Sequence, residues 1–151
     1  MINSVAELDR VRAECRRLVT KRSWMAAGAA VVPIPGADVV ADISLLSTML
    51  PEISKRFELD HEQVDKLPPH VAEKVFVMAS SMGNNIIGRT VTKRVATMLL
   101  KRVGTRVATA SVARYVPFVG SALAAAIGFG AMRLVGKSHI EDCYRTAKSM
   151  L

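Results

Sequence analysis

His139 and Cys143 stand four residues apart, a spacing that puts imidazole and thiol on one face of a helix. A nucleophilic pair of this kind also needs a third, orienting group and an electropositive opening. A metal site would need a second ligand pair, and His61 and His70 have no ligand spacing to either residue. The expectation is therefore a polar helix end carrying a half-buried thiol. Asp38 and Asp42 share the same spacing. No partner acid or base accompanies them, so they read as a carboxylate suited to a helix N-terminus and a core hydrogen bond. Gly130-Ala131-Met132-Arg133-Leu134-Val135-Gly136-Lys137-Ser138 approximates a phosphate loop, but five residues separate its glycines and it lies inside an apolar helix pattern. Glycines for helix packing explain it better. No catalytic, metal or cofactor-binding residues are expected, and no enzymatic activity.

The strongest chemical signal is charge. Between Lys74 and Ile140 there are ten basic residues and no acidic one, whereas the rest of the chain holds 11 basic and 13 acidic residues. A one-sign segment attracts phosphates, whether of lipid headgroups or of nucleic acid. Arg89, Lys93, Arg94, Lys101, Arg102 and Arg106 are the candidate anion contacts. A solvated basic face is the plain alternative. Aromatic residues do not interleave these cations, and no zinc, homeodomain or RNP pattern is present, so nucleic acid ranks behind a membrane surface.

The elements that must carry these residues are helices. Hydrophobic residues make up 50% of the 151 and aromatics only 5%, so the apolar content is small and aliphatic. No segment alternates with period two. The expected fold is all-α: one multi-helix domain over 1–151, with two apolar helices each initiated by a Pro-Gly turn. The first turn holds Pro33, Pro35 and Gly36, and the second holds Pro117 and Gly120. Gly120, Ala124 and Gly128 recur every four residues and permit close helix contact.

Along the chain, Ser4 and Glu7 fit a capping box before an amphipathic helix, and Ser23–Val32 reads as a separate, buried helix. An apolar helix follows over Ala37–Phe57, which Pro51 kinks or splits. Asp60-His61-Glu62-Gln63 fits another helix start, and Pro69 opens a helix to about Ile87. Thr90–Val107 is basic and amphipathic, with Val91, Val95, Met98, Leu99 and Val103 on the apolar side and Gly104 a candidate break. The last helix runs over about Phe118–Ser149. Its first part belongs to an 18-residue uncharged run, Tyr115–Met132, which reads as the packed centre of a bundle or as a membrane span. Cys15 and Cys143 read as reduced thiols with no disulfide framework, although a single bridge stays open. The charged N-terminus lacks an apolar core, so no secretory signal is expected.

Val32-Pro33-Ile34-Pro35-Gly36-Ala37-Asp38-Val39-Val40-Ala41-Asp42, then Arg56-Phe57-Glu58-Leu59-Asp60, then Val116-Pro117-Phe118-Val119-Gly120-Ser121 give the chain a wider likeness. It resembles the C-terminal helical region of the immunity-related (interferon-inducible) GTPases and is similar to the helical domain of bacterial YcjF-type proteins. Those GTPases tend to have a Phe-Gly-Leu-Asp-like segment where this chain has Phe57-Glu58-Leu59-Asp60. The GTPase domain is absent, so no GTP hydrolysis is carried over. The resemblance implies an all-helical domain that works with membranes or with partners acting on them. With no catalytic constellation and a basic segment, the first expectation is a non-enzymatic helical protein that associates with membranes, cytoplasmic or peripheral on a cytoplasmic face, in one form a membrane-perturbing defence or effector protein. A soluble adaptor or homo-oligomer partnering a separate GTPase is the alternative, and a basic nucleic-acid-binding domain the third.

Overall fold

The computed structural model describes residues 2–29, 37–84, 86–110 and 120–151, with the side chains of 37–39, 104–110 and 120–124 outside that description. Among the described residues there are six helices and no strand: α1 (Val5–Ala29), α2 (Ala37–Arg56), α3 (His61–Val64), α4 (Pro69–Ser81), α5 (Lys93–Ala110) and α6 (Gly120–Lys148). The all-α expectation holds. The chain divides into two compact units, each drawn from separate stretches. Unit 1 comprises Met1–Arg17, Leu50–Val91 and Lys137–Leu151, and unit 2 comprises Leu18–Met49 and Thr92–Gly136.

Local chemistry sets the helix ends. Ser4 Oγ accepts from the Glu7 N–H at 3.2 Å, while the Glu7 carboxylate reaches back to the Asn3 N–H, one residue before the expected partner. Asp60 caps α3 with both arms of a capping box through Gln63. Pro69 occupies the first turn of α4, where a missing N–H costs nothing. α4 stops at Ser81, six residues short of the expected Ile87. Gly83 takes φ +72°, and the Gly83 and Asn84 N–H groups bond back to Ser80 and Ala79 in a Schellman cap. α2 closes the same way: Glu58 takes φ 59°, with Glu58 N–H to Lys55 and Leu59 N–H to Ser54. Leu59 is fully buried beyond this cap and Asp60 then starts α3.

Three other expectations need correcting. Ser23 and its successors do not begin a new helix, because α1 is continuous to Ala29. Nor is that stretch buried all round. Ser23 and Ala26 face inward, but Trp24 is 66% exposed and Met25 is exposed as well. An all-apolar run has no pattern to mark its buried face, and here the small side chains take it. α2 is not split at Pro51 but continues through it, and α5 passes through Gly104.

Unit 1 buries Leu8, Ile53, Phe57, Val64, Val75 and Ile140, and α1 and α6 add polar contacts at its surface. Glu141 receives Arg12 through a two-pronged ion pair and Arg16 at 2.9 Å. Tyr144 donates to Asp9 at 2.8 Å, with Arg12 stacked over its ring. Burial alone would push the Glu141 carboxyl up; the two arginines outweigh it and hold it below its ordinary value. Such part-exposed pairs contribute about 1 kcal/mol or less each.

Unit 2 buries Val19, Ala26, Leu46, Met49, Ala96, Ala131 and Met132. α6 enters it through glycines. A methyl at Gly136 would stand 2.6 Å from Val19 Cγ2 and 3.1 Å from Met49 Cε. A methyl at Gly128 would stand 3.4 Å from the Asp42 carboxylate, an ordinary contact, so only larger side chains are barred there. Gly130 meets nothing within 4 Å. Gly136→Ala is therefore expected to destabilise by about 1–3 kcal/mol through overpacking. Gly130→Ala is expected to stabilise by about 0.5–1 kcal/mol through helix propensity alone. Urea midpoints of the two variants check both signs.

Candidate functional site

Two places deserve the name of candidate: a buried polar cluster in unit 1 and the basic face of α5 in unit 2. The cluster centres on His139, which is 2% exposed. The cap after Gly83 delivers Asn84 to it. Asn84 Oδ1 accepts the Ile86 N–H at 2.9 Å, which fixes the amide orientation. The amide nitrogen then faces both His139 Nδ1 at 3.2 Å and Asp142 Oδ2 at 2.9 Å, one hydrogen for each. Flipping the amide would set its oxygen against the Asp142 carboxylate. Nδ1 is thus the acceptor and Nε2 carries the ring proton. Nε2 lies 2.9 Å from Ser54 Oγ and 3.6 Å from Cys143 Sγ.

Cysteine, histidine and asparagine together have the composition of a thiol-nucleophile triad, and Asn84 is the third group that sequence spacing did not disclose. The geometry opposes that chemistry. The imidazole nitrogen nearest Cys143, itself nearer to Ser54, carries the ring proton where a general base must offer a lone pair. Burial pushes the Cys143 thiol up, against a smaller lowering by Ser54. Burial also pushes the His139 imidazole down to about 4, against a smaller raising by the Leu50 backbone. Both shifts disfavour a thiolate–imidazolium pair. The thiol is fully buried, not half-buried as expected. The cluster is a satisfied polar node joining α2, α6 and the loop after α4 within unit 1.

Cys15 is a second free, buried thiol, raised by burial to about 11. Neither cysteine is in a disulfide. Among the described residues no group of three His, Cys, Asp or Glu side chains could hold a metal ion. One surface depression, about 660 Å³, is lined by α4 residues alone, including Phe76 and Val77, so it is a helix face and not a cleft between elements.

The basic candidates fall in different units. Arg89 is exposed in unit 1, before α5. Lys93, Arg94, Lys101 and Arg102 are exposed on α5 in unit 2; Arg106 continues the helix with its side chain outside the described set. Ala96 is buried and Val95, Leu99 and Val103 are half-buried on the opposite side. Met98 departs from the expected apolar side: it is exposed, between Arg94 and Lys101 on the basic face. Nine basic and two acidic residues belong to unit 2, against twelve and eleven in unit 1, so unit 2 holds +7 of the net +8.

Scans against protein-family models, curated proteins and solved structures return no match. The geometry therefore stands without a relative to interpret it. Of the expected packing residues, Asp42 and Gly128 meet in unit 2, and Asp42 is buried. Asp38, Gly120 and Ala124 lie on α2 and α6 with side chains outside the described set, and Pro33, Pro35, Gly36 and Pro117 lie outside the described residues. Part of the 115–132 run shares that position. From Gly128 onward α6 buries one side, Gly128, Ala131, Met132 and Val135, while Gly130 and Leu134 are exposed, so it is not enclosed on all sides. Among the described residues no helix is long and apolar enough to cross a membrane.

Two measurements follow from the node. Unfolded histidine titrates near 6.5 and His139 near 4, so the unfolded chain binds the extra proton between those values. Its contribution is fully present above about pH 6.5 and is lost as pH falls toward 4, about 3 kcal/mol in all. Asp142, whose carboxyl burial raises, works in the opposite sense. Comparison with His139→Gln isolates the histidine, and that variant is expected to lose this part of the acid destabilisation in urea titrations across pH. Both thiols are expected to resist a disulfide reagent in the native protein and to react in denaturant, as read by thiol titration.

Proposed function

We propose that this is a non-enzymatic helical protein that associates with anionic membrane surfaces, peripherally and on a cytoplasmic face. The observation that carries the reading is the placement of charge: +7 in unit 2, with Lys93, Arg94, Lys101 and Arg102 exposed along one face of α5. Each basic side chain near an anionic bilayer contributes about 1 kcal/mol. Exposed Met98 in the middle of that face adds an apolar contact that a purely solvated face would not call for.

The resemblance to the helical region of immunity-related GTPases belongs to this proposal, and one detail supports it. Glu58 holds a left-handed backbone, φ 59°, at the place where those GTPases tend to have glycine. Phe57-Glu58-Leu59-Asp60 forms a stop for α2 and a start for α3, a physical role such a segment would fill equally well with glycine. A membrane-perturbing defence or effector role is the biological form this protein takes under that reading.

Flotation with phosphatidylcholine vesicles, with and without phosphatidylserine, tests the reading. The protein is expected to float with the anionic vesicles at low salt and to be released at high salt. Replacing Lys93, Arg94, Lys101 and Arg102 by Gln is expected to weaken binding roughly a hundredfold or more. Absence from the floated fraction at low salt contradicts the reading. If salt-sensitive retention on DNA accompanies that absence, the nucleic-acid alternative takes its place.

A further inference from the structure

We infer that Trp24, Phe129 and Arg133 form an interfacial anchor through which unit 2 seats on an anionic bilayer. This rests on the membrane reading and assigns it a contact site distinct from the α5 face. Trp24, on α1, is 66% exposed, an unusual state for the chain's single tryptophan. Its ring packs on Phe129 of α6, with centroids 4.8 Å apart and planes tilted by 57°. The Arg133 guanidinium lies 5.6 Å from the centroid of the Phe129 ring.

The surroundings match a headgroup region. Lys21, Trp24, Met25 and Gly28 are all exposed, at positions i, i+3, i+4 and i+7 of one helix face. That face carries a cation, an indole and a flexible thioether, and α6 adds a ring and a guanidinium. An amphipathic indole favours the boundary between acyl chains and headgroups, and arginine beside it reaches phosphate. The partner must therefore be apolar in depth and anionic at its surface, as a bilayer is, and unit 2 brings a +7 balance to it. No described helix can cross a membrane, so the contact is a shallow one, in the interface.

Trp24 is also its own reporter. Added phosphatidylcholine–phosphatidylserine vesicles are expected to shift its emission to the blue, and brominated acyl chains to quench it. Trp24→Ala is expected to weaken vesicle partition roughly tenfold or more. Trp24→Phe, which keeps a ring on Phe129, is expected to retain most of the affinity, and far-ultraviolet circular dichroism checks that both variants fold. Flotation of wild-type protein with unshifted, unquenched Trp24 emission overturns the anchor and leaves the membrane reading standing. Failure to float at low salt overturns both. A blue shift that grows with protein concentration, without vesicles, gives the patch to a second copy of the chain and overturns the assignment to lipid.

Discussion

Val19 and Met49 occupy the space where a side chain on Gly136 would begin. That absence lets α6 lie against the parts of α1 and α2 that build unit 2, and the same helix then carries His139, Ile140 and Cys143 into the core of unit 1. Close approach of this kind relies on dispersion between well-fitted surfaces, since aromatics are few and the side chains small. It also explains why a helix so rich in glycine forms at all. Tertiary contact offsets the low helix propensity of those residues.

The two units solve different problems. Unit 1 is nearly charge-balanced and closes around a neutral, fully hydrogen-bonded histidine. Within it Glu141 pairs with Arg12 and Arg16. Unit 2 carries an excess of positive charge, exposes Lys21, Lys93, Arg94, Lys101 and Arg102, and leaves Trp24 and Met98 at the surface. Self-repulsion among like charges on α5 destabilises a compact state slightly, and under the proposed membrane reading an anionic surface would offset it. Unit 2 thus holds +7 of the net +8, while unit 1 is close to neutral.

Much of this was legible in the residues. The capping patterns at Ser4 and Asp60, the proline at the start of α4 and the absence of period-two alternation lead directly to the helices. The charge map leads to α5. The misplacements have separate physical causes. Where a stretch is apolar throughout, as at Ser23–Ala29, periodicity carries no information about which face is buried. At Gly83 and Glu58 the helix stops depend on a left-handed residue, and only the glycine advertises it. Asn84 lies 55 positions before His139, and nothing local in either neighbourhood announces that they meet. Gly136 drew notice as part of a false phosphate loop, while its packing partners, Val19 and Met49, come from two other helices.

Hydrogen exchange of the whole chain with and without phosphatidylserine-containing vesicles tests the central claim most directly. The account predicts added protection in α5 and around Trp24 and Phe129, with the backbone around His139 and Asn84 unchanged. Protection confined to unit 1, or exchange that vesicles leave unaltered throughout, would contradict it.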